Sequence, residues 1–395
     1  MPCPLNRKVE IRDIFIMAKF QLSCTDAIYC VSTITFQLSK LLVGATFVFS
    51  GFVKAIDPLG TTYKIQDYLE VMHLSWFSEL ALVASFALIT AEFLAGMLLI
   101  TNVNFKLGLW LSTLLMLAMT PLTLWIALEN PVTDCGCFGD AIILSNWATF
   151  WKNIVLDALI IALWLLQKRV YRTWLTPFPS WTLTITFSLI TIGIGIHSLN
   201  NLPFIDFRPY KIGNNILDGM ELPEGAVRDQ YRTTFIYSRD GVEQEFELQD
   251  APYNDSTWTF VEQRTELITK GEEPPIHDFS IVTPEGDDLT YDILYREGKT
   301  YLVVMYDLHK TKTKYLDNVH QVYEKAQAEG AEFLVLTASS DMIDEFKQQH
   351  NLPYQFALTD PIQLKTMVRS NPGVVVLDGA IVINKFNPNW KYCKK

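Results

Sequence analysis

Two cysteines separated by one glycine, in the run Asp134-Cys135-Gly136-Cys137-Phe138-Gly139-Asp140, are the residues of this chain best suited to chemistry. Thiols at i and i+2 join only if the chain turns between them. An extended C-x-C segment holds its Cα atoms at or beyond the upper limit of disulfide geometry, about 6.8 Å. Gly136 removes the steric objection to a turn, and Pro131 and Gly139 punctuate it on either side. A ring so small is expected to be strained, and strained, exposed disulfides exchange readily with partner thiols. Three readings stand at this point: a redox-exchanging pair, a passive structural disulfide, and free thiols or a metal site completed from outside. No metal is expected, because two cysteines without a neighbouring histidine fall short of a zinc ligand set.

Four further polar residues lie inside apolar stretches: Lys54, Glu92, Asn153 and Asp157. A carboxylate at the centre of a membrane helix costs about 2.5–3.5 kcal/mol on insertion scales unless neutralised or paired. Glu92 sits deep within its stretch, and Asp157 follows Asn153 by one helical turn on a common face. Structural pairing and proton or quinone chemistry are both open to them. The two carboxylates, Glu92 and Asp157, with Lys54 and Lys152 are expected to form a polar patch beneath the cysteine loop. Lys40 and Lys54, near helix ends, read simply as side chains that snorkel to the interface.

The elements that must position these residues are membrane helices. The chain has 395 residues, 49% of them hydrophobic, with the apolar material gathered in its first half. Five stretches, about 36–56, 76–100, 106–128, 148–167 and 178–198, have the roughly 17–25 residues needed to span a bilayer. Arg7, Lys8, Arg12 and Lys19, then Lys106, then Lys168, Arg169 and Arg172 mark one side, which the positive-inside rule makes cytoplasmic. The cysteine loop and everything after residue 200 then share the opposite, disulfide-permissive side. The first 30 residues do not form a signal peptide, and Met17 is a second candidate initiator. The net charge of −11 argues against nucleic acid as a partner. Cys3, Cys24, Cys30 and Cys393 read as incidental thiols.

From residue 200 the sequence becomes charged and alternating. Short strand-like runs at Thr233–Tyr237, Glu245–Leu248 and Trp258–Val261 suggest a small β-rich segment. From Pro274 strands alternate with helices: strands at Phe279–Val282, Tyr301–Tyr306, Glu332–Thr337 and Gln355–Leu358, and helices at about 314–328, 340–350 and 362–369. A hairpin around Asp378-Gly379 closes the series. That order describes a layered α/β domain.

Two resemblances follow. The order from 274, with Asn371-Pro372-Gly373 before the final hairpin, resembles the TlpA and peroxiredoxin-like branch of the thioredoxin fold. The resemblance implies a cis Pro372 facing the segment after the strand at 301–306. That segment reads Asp307-Leu308-His309-Lys310-Thr311-Lys312-Thr313, without a cysteine, so the domain cannot run dithiol chemistry. In the first half, Phe49-Ser50-Gly51-Phe52-Val53-Lys54-Ala55-Ile56-Asp57-Pro58, Glu92, the cysteine loop and Trp151-Lys152-Asn153 resemble the MauE branch of the DoxX-like membrane proteins over about 33–168. That resemblance implies a four-helix bundle and thiol chemistry; the family is associated with methylamine utilisation and with disulfide formation in an exported protein, and of these the residues here carry only the thiol chemistry. The plan is also similar to that of vitamin K epoxide reductase, which couples thiols to quinone.

The fold class expected is therefore an α-helical membrane bundle of the MauE/DoxX kind plus a fifth span, followed by an extracytoplasmic α/β thioredoxin-like domain. The domains are a cytoplasmic arm (1–32), a four-helix membrane domain (33–168), a fifth span (169–199), a β-rich periplasmic segment (200–273) and a thioredoxin-like domain (274–395). The leading functional reading is a protein of the bacterial inner membrane that exchanges thiol and disulfide equivalents through Cys135 and Cys137. Its partners would be membrane lipid and a periplasmic thiol or disulfide protein recognised by the soluble domain, with quinone as a candidate cofactor near Lys54, Glu92, Asn153 and Asp157. Its rivals are a non-enzymatic assembly protein in which the pair is a staple, and a small-solute transporter, which the lack of an internal repeat disfavours.

Overall fold

A computed structural model describes the backbone from Ile11 to Pro388 and side chains from Tyr29 onward. Residues 133, 173, 223–224, 227–229, 270 and 272–273, and the side chain of 269, are excepted. Cys3, Cys24 and Cys393 thus lie outside the described side chains. The chain divides into two compact units, residues 1–207 and 208–395.

The first unit contains helices α1 (Ile11–Ile56), α2 (Pro58–Val71), α3 (Ala81–Thr101), α4 (Phe105–Glu129), α5 (Asn146–Val170) and α6 (Pro177–Asn200). Five segments are long and apolar enough to cross a membrane: Tyr29–Ile56, Ser75–Thr101, Phe105–Glu129, Asn146–Val170 and Pro177–Asn200. Each contains one of the five stretches expected from the sequence. Phe36, Val43, Phe47, Phe105, Leu109 and Leu163 are among the buried side chains that hold the bundle together. Asn102 (φ 58°) and Asn130 (φ 47°) end α3 and α4 in the left-handed conformation that asparagine tolerates.

Two features of this unit bear on the site. α1 and α3 nearly touch: a Cβ on Gly96 would lie 2.5 Å from the Gly44 carbonyl oxygen, and one on Gly51 would lie 2.5 Å from Phe93 N. Small residues are what let membrane helices approach this closely. The second feature is α2. The sequence over about 57–75 reads as a plain connection, but Asp57 accepts a hydrogen bond from Gly60 N–H and Pro58 fills the first helical position. A new helix therefore starts as α1 ends.

The second unit comprises α7 (Ile216–Met220), β1 (Gln230–Arg239), β2 (Val242–Glu247), β3 (Thr259–Thr269), α8 (Thr290–Leu294), β4 (Lys299–Val304), α9 (Leu316–Glu329), β5 (Glu332–Thr337), α10 (Ile343–His350), β6 (Gln355–Leu358), α11 (Pro361–Met367), β7 (Gly373–Asp378) and β8 (Ile381–Phe386). It holds a three-stranded antiparallel sheet, β2-β1-β3, and a mixed five-stranded sheet, β6-β5-β4-β7-β8. Asp240 (φ 54°) and Gly241 (φ 80°) form the two-residue turn between β1 and β2, the left-handed pair such tight hairpins require. In the larger sheet β4, β5 and β6 run parallel, while β7 and β8 run antiparallel to their neighbours. Val303, Met305, Val319, Phe333, Val335 and Val374 lie in its core.

Two expectations need correction here. Phe279–Val282 is not a strand: Val282 alone bridges to Leu358, because the chain turns away through Pro284, Glu285 and Gly286. Residues 213–219 do not stand apart from the later domain. Gly213 N–H donates to Val382 O, Val382 N–H to Asn214 O, Ile216 N–H to Ala380 O and Ile276 N–H to Gly219 O. That segment occupies the open edge of β8, which would otherwise present unpaired backbone groups.

Candidate functional site

The loop between α4 and α5 brings Cys135 and Cys137 together. Gly136 adopts φ +65°, which turns the chain so that the two sulfurs lie 2.9 Å apart as free thiols. A side chain at Gly136 would also meet Lys64, whose Cγ lies 3.1 Å from the position of a Cβ. Asp134 stiffens the turn by accepting from Gly136 N–H at 2.8 Å, and Gly139 N–H closes it onto Gly136 O at 3.1 Å.

Three helices hold this loop. From α2, Lys64 Nζ pairs with Asp134 Oδ1 at 2.6 Å, and the Tyr68 hydroxyl donates to Cys135 O at 2.8 Å. Lys64 and Tyr68 are four residues apart and so lie on one helical face. From α1, Ser50 Oγ lies 2.6 Å from Cys137 O, and Phe49 packs edge-on against Phe138. From α5, Lys152 Nζ sits 4.4 Å above the Phe138 ring centroid. Neither Tyr68 nor Lys64 stands out in the sequence, because the segment that carries them reads as a connection. Their i, i+4 spacing is the available signal.

Directly beneath lies an ion pair shut away from solvent. Lys54 Nζ is 2.7 Å from Glu92 Oε1 and 2.9 Å from Oε2, with each residue 4% exposed. Ser50 Oγ stands 2.8 Å from Glu92 Oε2 and thus joins the pair to the loop. Lys54 does not snorkel to the interface, as its place near a helix end suggests. It turns inward, because Glu92 offers it a charged partner across the close α1–α3 contact.

The residues expected to form a polar patch hydrogen-bond to different partners. Asn153 Nδ2 donates to Thr123 Oγ1 at 3.1 Å, and Asp157 Oδ2 accepts from Thr120 Oγ1 at 2.8 Å. Both are thus engaged with α4 rather than with Lys54 and Glu92. Among the residues expected to cradle a quinone, Lys54 bonds Glu92, whereas Asn153 and Asp157 bond side chains of α4. Lys40, also expected to snorkel, is buried and donates to Asn102 Oδ1 at 3.3 Å.

The two thiols are electrostatically unequal. Cys137 is lowered to about 6, first by the hydrogen bond from Cys135 and then by the charges of Lys152 and Lys54. Cys135 is raised because it gives that hydrogen bond and because it is buried. Burial also holds Tyr68 in its protonated, donating form. The acidic neighbour Asp134 is itself matched by Lys64. The arrangement holds one thiolate and one thiol in contact, which is the reduced state of a dithiol–disulfide couple.

The second unit carries no such centre among its described residues. After β4, Asn371 Nδ2 donates to Asp307 O, Thr311 Oγ1 donates to Asn371 Oδ1 at 3.0 Å, and Lys312 N–H donates to Asn371 O. The Asn371–Pro372 bond beside them is cis. Hydrogen bonds fill the place where the thioredoxin resemblance would put cysteines. Among the described residues no cluster of histidine, cysteine and carboxylate side chains could hold a metal ion.

No curated protein matches this chain. Residues 231–270, the three-stranded sheet, match a domain of unknown function, DUF8463. Residues 32–166, which contain every side chain that shapes the cysteine site, match the family described as Methylamine utilisation protein MauE.

Proposed function

We propose that this membrane protein exchanges thiol and disulfide equivalents with client proteins through Cys137 as the attacking thiol and Cys135 as the resolving one. The observation that carries the reading is the contact of the two sulfurs at 2.9 Å, with Cys137 lowered to about 6 beside Lys54 and Lys152. Cys137 is also the more exposed of the two; Cys135 is 8% exposed. The match to the MauE family supports a membrane redox role, and methylamine utilisation is the setting that family's description suggests.

The steps balance with one proton taken from water by the first client thiolate. The Cys137 thiolate attacks one sulfur of a client disulfide, and the other client sulfur leaves as a thiolate that takes up a proton. Cys135 then gives up its proton and attacks Cys137 Sγ, releasing the second client thiol. The client gains two electrons and two protons, and the Cys135–Cys137 disulfide forms. Run backward, the same steps donate a disulfide. The location we propose is the inner membrane, with the basic clusters inside and the cysteine loop and C-terminal unit in the periplasm. The C-terminal unit, with a mixed five-stranded sheet and no cysteine at residues 305–313, would recognise the client rather than exchange electrons with it.

The test uses the full chain in its own membrane. Cys135→Ser leaves the attacking thiol without its resolving partner, so a mixed disulfide through Cys137 should accumulate on non-reducing gels of acid-quenched membranes. Cys137→Ser should trap far less. If neither single variant forms an adduct while wild-type and variants fold equally well, the pair is a staple and the reading fails.

A further inference from the structure

Cys135 is the harder of the two thiols to ionise, yet exchange needs it as an anion in both directions. It attacks as a thiolate when a mixed disulfide is resolved, and it leaves as one when the pair donates its disulfide. Water gives such an anion little help, because Cys135 is 8% exposed. The contact with the Cys137 thiolate, at 2.9 Å in the reduced pair, is replaced once Cys137 Sγ is bonded to a client. A buried anion without a partner is costly, and a thiol of raised pKa is a slow leaving group.

Two groups favour the Cys135 anion: the charge of Lys54 and a hydrogen bond from the Tyr68 hydroxyl. Lys54 is already bound to Glu92 at 2.7 and 2.9 Å and to Ser50 at 3.2 Å, and it acts on Cys135 through its charge. Tyr68 is in contact. Its hydroxyl donates to Cys135 O at 2.8 Å and stands within hydrogen-bond reach of the Cys135 side chain. α2 aims it there. One turn before Tyr68, Lys64 pairs with Asp134 at 2.6 Å, and its Cγ would lie 3.1 Å from a Cβ on Gly136. Burial, then the charge of Cys135, keeps the phenol protonated, so its one hydrogen is always there to be donated.

Resting on the exchange reading above, we propose that Tyr68 is a catalytic residue of the pair, whose hydroxyl hydrogen turns from Cys135 O to Cys135 Sγ while that sulfur is a thiolate. In resolution Cys135 gives up its proton, and its thiolate attacks Cys137 Sγ. The bond from Cys137 to the client breaks, and the client sulfur leaves with the electron pair and takes up a proton. Tyr68 keeps its own hydrogen throughout and returns it to Cys135 O once the Cys135–Cys137 disulfide has formed. In the reverse direction a client thiolate attacks Cys137 Sγ, and Cys135 Sγ leaves with the electron pair into the hydrogen bond from Tyr68. Lys64 is a positioning residue in this scheme, since it seats α2 against the turn.

The test mixes the reduced, purified full chain with oxidised glutathione, quenches with acid and follows the Cys137–glutathione adduct by mass spectrometry. Its rise reads attack by Cys137, and its decay reads resolution by Cys135. Tyr68→Phe keeps the ring and removes the donor. Losing a hydrogen bond to an anion lowers the thiolate population about ten- to a hundredfold. The more basic sulfur is a better nucleophile, which offsets about half of that loss on a logarithmic scale, so decay should slow about three- to tenfold. The rise should be unchanged, and the midpoint for Cys137 alkylation should stay near pH 6. Decay at the wild-type rate overturns the role of Tyr68 and leaves the exchange reading standing. A rise slowed as much as the decay also overturns it, because the hydroxyl would then only be shaping the loop. A wild-type chain that forms neither adduct nor disulfide overturns the exchange reading itself. If Tyr68→Phe folds poorly, Tyr68→3-fluorotyrosine, a stronger donor of nearly the same size, decides: faster decay than wild type supports the proposal, and equal or slower decay overturns it.

Discussion

Cys135 and Cys137 are separated by one residue yet meet different surroundings. The backbone oxygens of both are bound, by Tyr68 and Ser50, while the charges of Lys54 and Lys152 act on the sulfur of Cys137. The sign of the pH dependence follows. Cys137 reacts as a thiolate, and its thiolate fraction falls as pH drops through about 6. Alkylation of Cys137 in the reduced full chain should therefore be half-maximal near pH 6 and slow about tenfold for each pH unit below that. Cys135 should stay unreactive across the same range. Equal rates with a midpoint at an ordinary thiol value would remove the distinction between attacking and resolving thiols. At this scale the sequence displays the cysteines, the turn glycine and the two buried charges. It does not display that Lys54 meets Glu92 while Asp157 goes to Thr120, because those pairings depend on helix rotation and register rather than on spacing along the chain.

At the level of elements, the site depends on how closely α1 and α3 pack. Gly51 lies three residues before Lys54, and a Cβ there would strike the backbone of Phe93, next to Glu92. Gly51→Ala should force the helices apart, cost about 1–3 kcal/mol as overpacking does, and weaken the Lys54–Glu92 contact. Gly193 on α6 has open space around it, so Gly193→Ala should be neutral or gain up to about 1 kcal/mol of helix propensity. Thermal unfolding of the two variants in detergent checks the contrast. A Gly51→Ala variant as stable as Gly193→Ala would contradict the packing account. The five spans are readable because length and hydropathy alone define them. α2 is not, since its short, mixed-polarity sequence gives no strong periodic signal and its value lies in the loop it grips. The 213–219 segment is hard to place for a related reason: residues 213–216 hydrogen-bond to Ala380 and Val382, more than 160 residues away.

On the scale of the whole molecule, the proposed exchange chemistry draws on one unit. The membrane unit holds the only paired thiols among the described residues, and the α/β unit replaces the expected dithiol position with Thr311 and Asn371 in a closed set of hydrogen bonds. The thioredoxin resemblance locates that position along the chain, and the lack of cysteine at residues 307–313 is legible from the amino acids alone. On the proposed reading, the α/β unit would recognise the client and the loop would exchange electrons on the periplasmic face. The most direct measurement is the redox state and accessibility of Cys135 and Cys137 in intact spheroplasts, probed with a membrane-impermeant maleimide before and after mild dithiothreitol. The account predicts that part of the pair is oxidised in growing cells, that mild reductant opens it without unfolding the protein, and that the thiols so released label from outside. A pair that never labels from outside, or a disulfide that mild reductant cannot open until the protein is denatured, would contradict it.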